Sequence, residues 1–487
     1  MRRLLVGLGA MALLLIAVLL ARTLLLPSPA PVGEALAPMP VDAGAAATRL
    51  SQAIRVPTVS TAEDSPTEDE AFRAFNALLR QQFPRVFAAL ALETVNEHSL
   101  LLHWAGRGDP GPVLLLAHSD VVPVEAGTES AWTHPPFSGA IADGHVWGRG
   151  ALDDKSGVLG WLEAVDALLA SGFEPAGDVW LAFGHDEEVG GQQGAVAMAG
   201  LLRERGLKFS VAIDEGGAIT RGVVPGVEAP VASIMAGEKG YLSLRLSADS
   251  VGGHSSAPPT PTATGRIARA VARLEENQMP QRLSPPVAAM FERLAPQLGF
   301  GARLAVANRW LLEGVLIEQI ARTRVGNALI RTTTAPTMFS RGTKDNVLQA
   351  RAWAVVNFRI LPGDSVASVR EHVRRTIDDP AVRIELASEF VSEPSPVSPI
   401  DTAEYRAIGA AVQDVYPDAL LSTGVVTGAT DLRHYAGLFE LRYNFAPLVY
   451  TPDDIARFHG RDERVSVDGY ARMIQVKAQM LRRLVGS

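Results

Sequence analysis

Short apolar runs that end on histidine- or acid-rich clusters constrain this chain more than any other feature. Residues 113–117 (VLLLA) lead into HSD at His118. Residues 179–183 (VWLAF) lead through Gly184 into HDEE. Residues 211–213 (VAI) lead into DEGG at Asp214. Runs of this length, bounded by glycine and polar turns, read as buried strands. Helical spacing over residues 156–170 supplies the covering layer that such strands need, so a mixed α/β sheet with helices on both faces is expected. In an open α/β sheet, ligands bind beyond the strand ends. The clusters fall where chemistry belongs.

Two further clusters join these three: GRGALDDKSG from Gly148 and FHGRDE from Phe458. Each has an ordinary structural explanation when taken alone. His118 and Asp120 could be a surface pair, Asp153 or Asp154 a helix N-cap, Asp186 to Glu188 a solvated acidic run, Asp214 a turn acid and His459 an exposed loop histidine. Their sum is less ordinary. The chain has no cysteine, so any metal must be held by His, Asp and Glu. Two histidines with three carboxylates suit two divalent ions in N/O coordination. Residues i and i+2 of an extended chain face the same side, which lets Asp120 steer the His118 imidazole. Adjacent Glu187 and Glu188 can divide labour, one binding metal and the other acting as general base toward bound water.

A length of 487 residues exceeds one ordinary core, and the sequence divides accordingly. Residues 1–26 hold Arg2, Arg3 and an apolar run over residues 4–20, at the lower limit for spanning a bilayer. They read as an uncleaved anchor, with a cleaved signal as the alternative. The paired arginines put the body on the extracytoplasmic side, secreted or periplasmic if cleavage occurs. A Pro/Ala/Gly-rich linker follows over residues 27–46. Residues 47–236 and 391–487 form a discontinuous catalytic domain. Residues 237–390 change texture and, apart from a helical middle near residues 285–325, read as βαββαβ, a ferredoxin-like lid or dimerisation domain. Helices are expected over residues 47–56 and 67–83, and a strand over residues 328–339. The net charge of −8 with no basic run leaves no footprint for nucleic acid.

These motifs, in this order, resemble the di-zinc family that contains aminoacylase-1, carboxypeptidase S and bacterial dipeptidases (metallopeptidase family 20). GHSSAPP from Gly253, IRTTTAP from Ile330, VNFRI from Val356 and HGRDERVSV from His459 resemble its branch of N-fatty-acyl-amino-acid synthase/hydrolases and carboxypeptidase S. The resemblance covers nearly all of the chain after the linker. It implies two Zn2+ per subunit, with Co2+ or Mn2+ as substitutes. His118, Asp153 and Asp214 would hold one ion and Asp153, Glu188 and His459 the other. Glu187 would be the general base, Asp120 would orient His118, and the Asp153–Asp154 peptide would be cis. His254 would donate to the oxyanion, often in a neighbouring subunit's site. Arg359 would bind the substrate carboxylate, and Asn346 would contact substrate.

The implied reaction is metal-assisted hydrolysis of an N-acyl amino acid, fatty-acyl substrates and the reverse condensation included, by a homodimer. Two other functions stay open: a carboxypeptidase or dipeptidase acting on short peptides, and a non-catalytic binding protein. Residues 300–320, with Trp310, Leu311, Leu312, Val315, Leu316 and Ile317, read either as a helix buried in the lid or as a groove for an acyl chain.

Overall fold

The computed structural model describes residues 2–27, 32–61 and 69–486. Its centre is a ten-stranded mixed sheet. Strand Val113–His118 lies between Val179–Gly184 and Phe209–Asp214 and runs parallel to both. All six residues of each of the first two strands are buried. That explains their unbroken apolar sequence, because strands covered on both faces have no polar side to alternate with. Phe439–Asn444 continues the parallel set beside Phe209–Asp214. The C-terminal ends of three neighbouring strands therefore open at one edge.

Helices Ala43–Ile54, Lys155–Ala170, Ala403–Val415 and Val467–Val485 cover one face. Each buried Val, Leu or Phe side chain contributes roughly 1.5–3 kcal/mol. Phe183, 1% exposed in the central layer, is one whose truncation to Ala would cost roughly 3–5 kcal/mol. Helix Ala195–Glu204 packs on the other face through Met198 and Leu202. Helix Asp69–Gln82 begins at the first described residue after position 61; residues 67 and 68 of the expected helix lie outside the described residues.

The second sheet has four antiparallel strands in the order Thr333–Phe339, Arg351–Ile360, Gly240–Asp249, Arg383–Leu386. Helices Ala263–Glu276 and Val366–Ile377 share its apolar core. In chain order this is βαββαβ with the ferredoxin-like strand order, as the alternating pattern implies. Only Lys239 separates Val231–Glu238 of the large sheet from Gly240–Asp249 of the small one.

Two local expectations change. The strand expected from residue 328 begins at Thr333, because Arg324–Ile330 is helical; the Thr323 side chain caps it by accepting the Gly326 N–H. The helices between residues 285 and 330 lie outside the apolar core of the small sheet's domain. Their apolar cluster includes Val425 of strand Leu420–Val426, so they pack on the large sheet. Leu316 and Ile320 face that cluster, while Trp310, Leu311 and Val315 are 60%, 48% and 51% exposed.

Candidate active site

The parallel strands deliver the clusters to one place. His118 ends its strand, Glu187 and Glu188 begin a 3-10 turn three residues beyond Val179–Gly184, and Glu215 follows Phe209–Asp214. His118 Nε2 stands 2.9 Å from Asp153 Oδ1 and 3.5 Å from Glu215 Oε1. His459 Nε2 stands 2.8 Å from the other Asp153 oxygen and 3.4 Å from Glu188 Oε1. One carboxylate thus lies between two imidazoles, each with a further glutamate. Ligand atoms of His118, Asp153 and Glu188 lie within 4.8 Å of one another, as do those of His118, Asp154 and Glu215. The Asp153–Asp154 peptide is cis.

A buried carboxylate network aims these groups. Asp120, fully buried, places Oδ1 3.2 Å from His118 Nδ1, which turns Nε2 toward Asp153. Its two oxygens also accept the backbone N–H groups of Glu187 and Glu188, each at 3.1 Å, and the Ser60 hydroxyl at 2.6 Å. One side chain therefore orients an imidazole and pins the turn that carries two glutamates, the kind of support that fixes ligand geometry. Asp186 faces away from the cluster and accepts the N–H groups of Gln193 and Gly194, just before helix Ala195–Glu204.

The structure corrects the expectation for Asp214. Its Oδ1 accepts the Glu215 N–H and its Oδ2 the Leu432 N–H, both at 2.9 Å. Glu215 stands in the position expected of Asp214. The IDEGG motif offers two adjacent acids at the end of a strand, where successive side chains point to opposite sides. Choosing between them required the backbone. Glu463 escaped the sequence reading for a similar reason, since HGRDE looks like a loop. It is fully buried and organises the turn that presents Asp153. Its Oε1 accepts the N–H groups of Gly150 and Leu152 at 3.0 and 2.8 Å, and its Oε2 meets the Arg149 guanidinium at 2.5 Å.

The electrostatics are those of crowded buried acids. Burial raises the Glu187 carboxyl well above its usual range, with further upward pressure from Asp431 and Glu215 and only His118 opposing strongly. Glu188 and Glu215 are raised for the same first cause. Burial also opposes charge on Asp153, but hydrogen bonds to His118 and His459 outweigh it and hold the acid ionised. Burial likewise disfavours imidazolium at His118, yet contacts with Asp120, Asp153 and Glu215 raise it well above the usual histidine value. His459 is raised to about 10 by its hydrogen bonds to Asp153 and Glu188. Glu188 Oε1 is buried, with the 3.4 Å contact to His459 Nε2 too long to satisfy it fully. Such convergent N and O donors, with more negative charge than the fold neutralises, fit divalent cations.

The cluster forms one wall of a cleft of about 980 Å3, which also includes Arg359, Tyr241, Phe390 and Arg433. Arg359 lies on the small sheet with its guanidinium carbon 4.7 Å from the centre of the Tyr241 ring. Arg433, not anticipated from sequence, stacks on Phe390 at 5.0 Å and approaches Glu187 Oε1 at 3.8 Å. Met235, Val426, Ile455 and Phe458 add an apolar lining. His254 and Asn346 are brought together, but not to this cleft. His254 is exposed with Nδ1 2.8 Å from the Ser256 hydroxyl, and the Ser255 N–H donates to the Asn346 carbonyl at 3.1 Å.

A metal-ready donor cluster at the ends of parallel strands, facing a guanidinium on a ferredoxin-like domain, defines a metallohydrolase of the exopeptidase type. The profile of Peptidase family M20/M25/M40 matches residues 114–483. The chain belongs to this family and is an enzyme of its metallopeptidase/amidohydrolase kind. It is 40% identical over 438 residues to an N-fatty-acyl-amino acid synthase/hydrolase of Danio rerio, covering 88% of this chain and 84% of that one. It is 31% identical to carboxypeptidase S of Saccharomyces cerevisiae, covering 88% and 82%. Among solved structures, an M20 family metallo-carboxypeptidase of Sulfolobus solfataricus superposes with a TM-score of 0.66 at 18% identity, over 90% of this chain and 99% of that one. That last likeness concerns the fold.

Proposed function

We propose that the enzyme hydrolyses the amide bond of N-acyl amino acids, long-chain acyl groups included, and joins the same bond when acid and amino acid are abundant. One observation carries the reading: a single cleft holds both the His/carboxylate cluster and the Arg359 guanidinium. A planar guanidinium suits a free carboxylate, so the substrate amide would lie between that grip and Glu187. The similarity to N-fatty-acyl-amino acid synthase/hydrolases supports the acyl class, and the apolar lining of the cleft suits an acyl chain.

In this reading His118, Asp153 and Glu215 hold one divalent ion, and Asp153, Glu188 and His459 a second, zinc being the family's usual metal. Bound there, the ions supply Lewis acidity and acidify water. Glu187 takes the proton of the attacking water and delivers it to the leaving nitrogen. Asp120 keeps the Glu187 backbone and the His118 ring in register. Arg359 holds the α-carboxylate, and Arg433 lies within reach of the same group or of Glu187. His254 acts from a second copy of the chain in a homodimer, a reading supported by its exposure and by its absence from the cleft of its own chain. Helix Arg2–Leu24 anchors the body on the extracytoplasmic side of a membrane, or is removed as a signal on secretion.

The likeness to carboxypeptidase S favours a second reading, cleavage of short peptides with a free C-terminus. One competition separates the two. The zinc-loaded enzyme is offered equal N-oleoyl-phenylalanine, N-acetyl-methionine and a Gly-Leu dipeptide, and released amino acids are quantified by mass spectrometry. Preferential release from the oleoyl substrate is expected. Preferential dipeptide cleavage would transfer the assignment to the carboxypeptidase reading, and no cleavage of any would count against both.

A further inference from the structure

We infer that the helices Phe300–Ala307 and Arg309–Ala321 form a platform that lies in the surface of the lipid bilayer beside the N-terminal helix. The inference rests on the reading of Arg2–Leu24 as a membrane anchor.

Three observations meet at this place. First, Arg2–Leu24 is 23 residues long, and its most apolar stretch of 18 residues has a mean hydropathy of 2.9 and is unburied. At helical rise it spans roughly 34 Å, enough to cross a hydrocarbon core of about 30 Å. Second, its C-terminal end is docked on these two helices rather than free. Arg22 Nε donates to the Ala307 carbonyl at 3.1 Å. Asn308, at the junction of the two helices, donates to the Leu19 carbonyl at 3.1 Å and to the Thr23 hydroxyl at 3.2 Å. Thr23 and Asn308 are fully buried, and Leu26 packs against the cluster containing Leu316 and Ile320. The contact occupies the last turns of the apolar helix, so its partners stand at the level where the bilayer meets water. Third, the same helices turn large apolar side chains outward: Phe300, Trp310, Leu311 and Val315 are each between 48% and 60% exposed. Leu311 and Val315, four apart, share one helix face.

Four large apolar side chains exposed on two consecutive helices call for an occupant. The bilayer is the one that explains them, because the helices that carry them also dock the end of a helix already suited to lipid. Tryptophan at the headgroup level and an apolar face laid in the interface are what that environment favours. The platform also adjoins the cleft. Val425 belongs to the same apolar cluster as Val306, Leu316 and Ile320, while the next residue, Val426, lines the cleft. Helix Pro285–Leu294 packs on that strand, so one helix and one strand lie between the lipid-facing helices and the site of chemistry.

Tryptophan fluorescence tests this in the full chain. Of the seven tryptophans, Trp310 is the one with an exposed side chain among the described residues. The protein is reconstituted into phosphatidylcholine vesicles containing phosphatidylcholine spin-labelled high on the acyl chain, and flotation is measured on the same sample. The expected result is that the protein floats, that the label quenches part of the emission, and that this part is lost in Trp310→Phe. Flotation with equal quenching in both proteins, or with none, would overturn the platform and leave the anchor standing. Failure to float would overturn both.

Discussion

Glu463 and Arg149, 314 residues apart in the chain, form a buried ion pair at 2.5 Å beneath the turn that carries Asp153. The second oxygen of the same glutamate holds the backbone N–H groups of that turn. Removing one charge of a buried pair leaves the other uncompensated, at a cost of roughly 3–5 kcal/mol. Glu463→Gln should weaken metal retention about 10- to 100-fold, measured by chelator competition. Unchanged retention would mean that the turn holds its shape unaided.

Glu187 lies beside the His/carboxylate cluster without the imidazole contact that Glu188 makes. Its replacement by Gln is expected to lower kcat at least about 100-fold while the metal content by atomic emission stays at the wild-type level. Loss of metal together with activity would reassign Glu187 as a ligand.

Adjacent acids at the end of strand Phe209–Asp214 offer a sharper comparison. Glu215→Gln should lose metal and activity together. Asp214→Asn keeps an oxygen to accept one N–H and should retain metal, its penalty appearing as a lower melting temperature of about 1–3 kcal/mol in stability. The opposite pattern would restore the ligand role to Asp214.

Arg359 acts on binding in the proposed reaction. Arg359→Met should raise KM at least about 10-fold for acidic substrates, in line with one charge-assisted hydrogen-bond pair. It should also narrow the preference over an amidated analogue. Equal losses on both substrates would show that Arg359 serves the cleft structurally.

His434 gives a pH test that the ligands do not. Burial and the neighbouring Arg433 lower it to about 4, while its Nε2 stands 3.0 Å from the Gly190 carbonyl. Its unfolded value is about 6.5. Between these values the unfolded chain binds a proton that the folded chain refuses, so stability falls as pH falls through the window. The share is at most about 2 kcal/mol at pH 5. In metal-free protein the drop in melting temperature from pH 6.5 to 5 should shrink in His434→Gln; an unchanged drop would assign the acid sensitivity to other groups.

The sequence was most readable where a side chain's neighbours lie close along the chain. The central strands were legible from their length and apolarity, and helix Lys155–Ala170 from its spacing. His118, Asp153, Glu187, Glu188 and His459 stood out because strand ends and glycine turns mark them. What escaped depends on which way a side chain leaves the backbone or on partners far away. Asp214 and Glu215 differ only in direction, and Glu463 matters through a turn three hundred residues earlier. Trp310 is apolar, but nothing in its spacing tells a face turned inward from one turned out.

Arg359 sits on the four-stranded sheet and Glu187 beside the ten-stranded one, and a single residue, Lys239, joins the two sheets at the first crossing. In the proposed reaction, the hand that holds the substrate and the tool that cuts it thus belong to different bodies. Distance from carboxylate to amide would then be measured across that joint, so that such an enzyme reads the amino-acid end of its substrate as a fixed length and leaves the acyl end unmeasured.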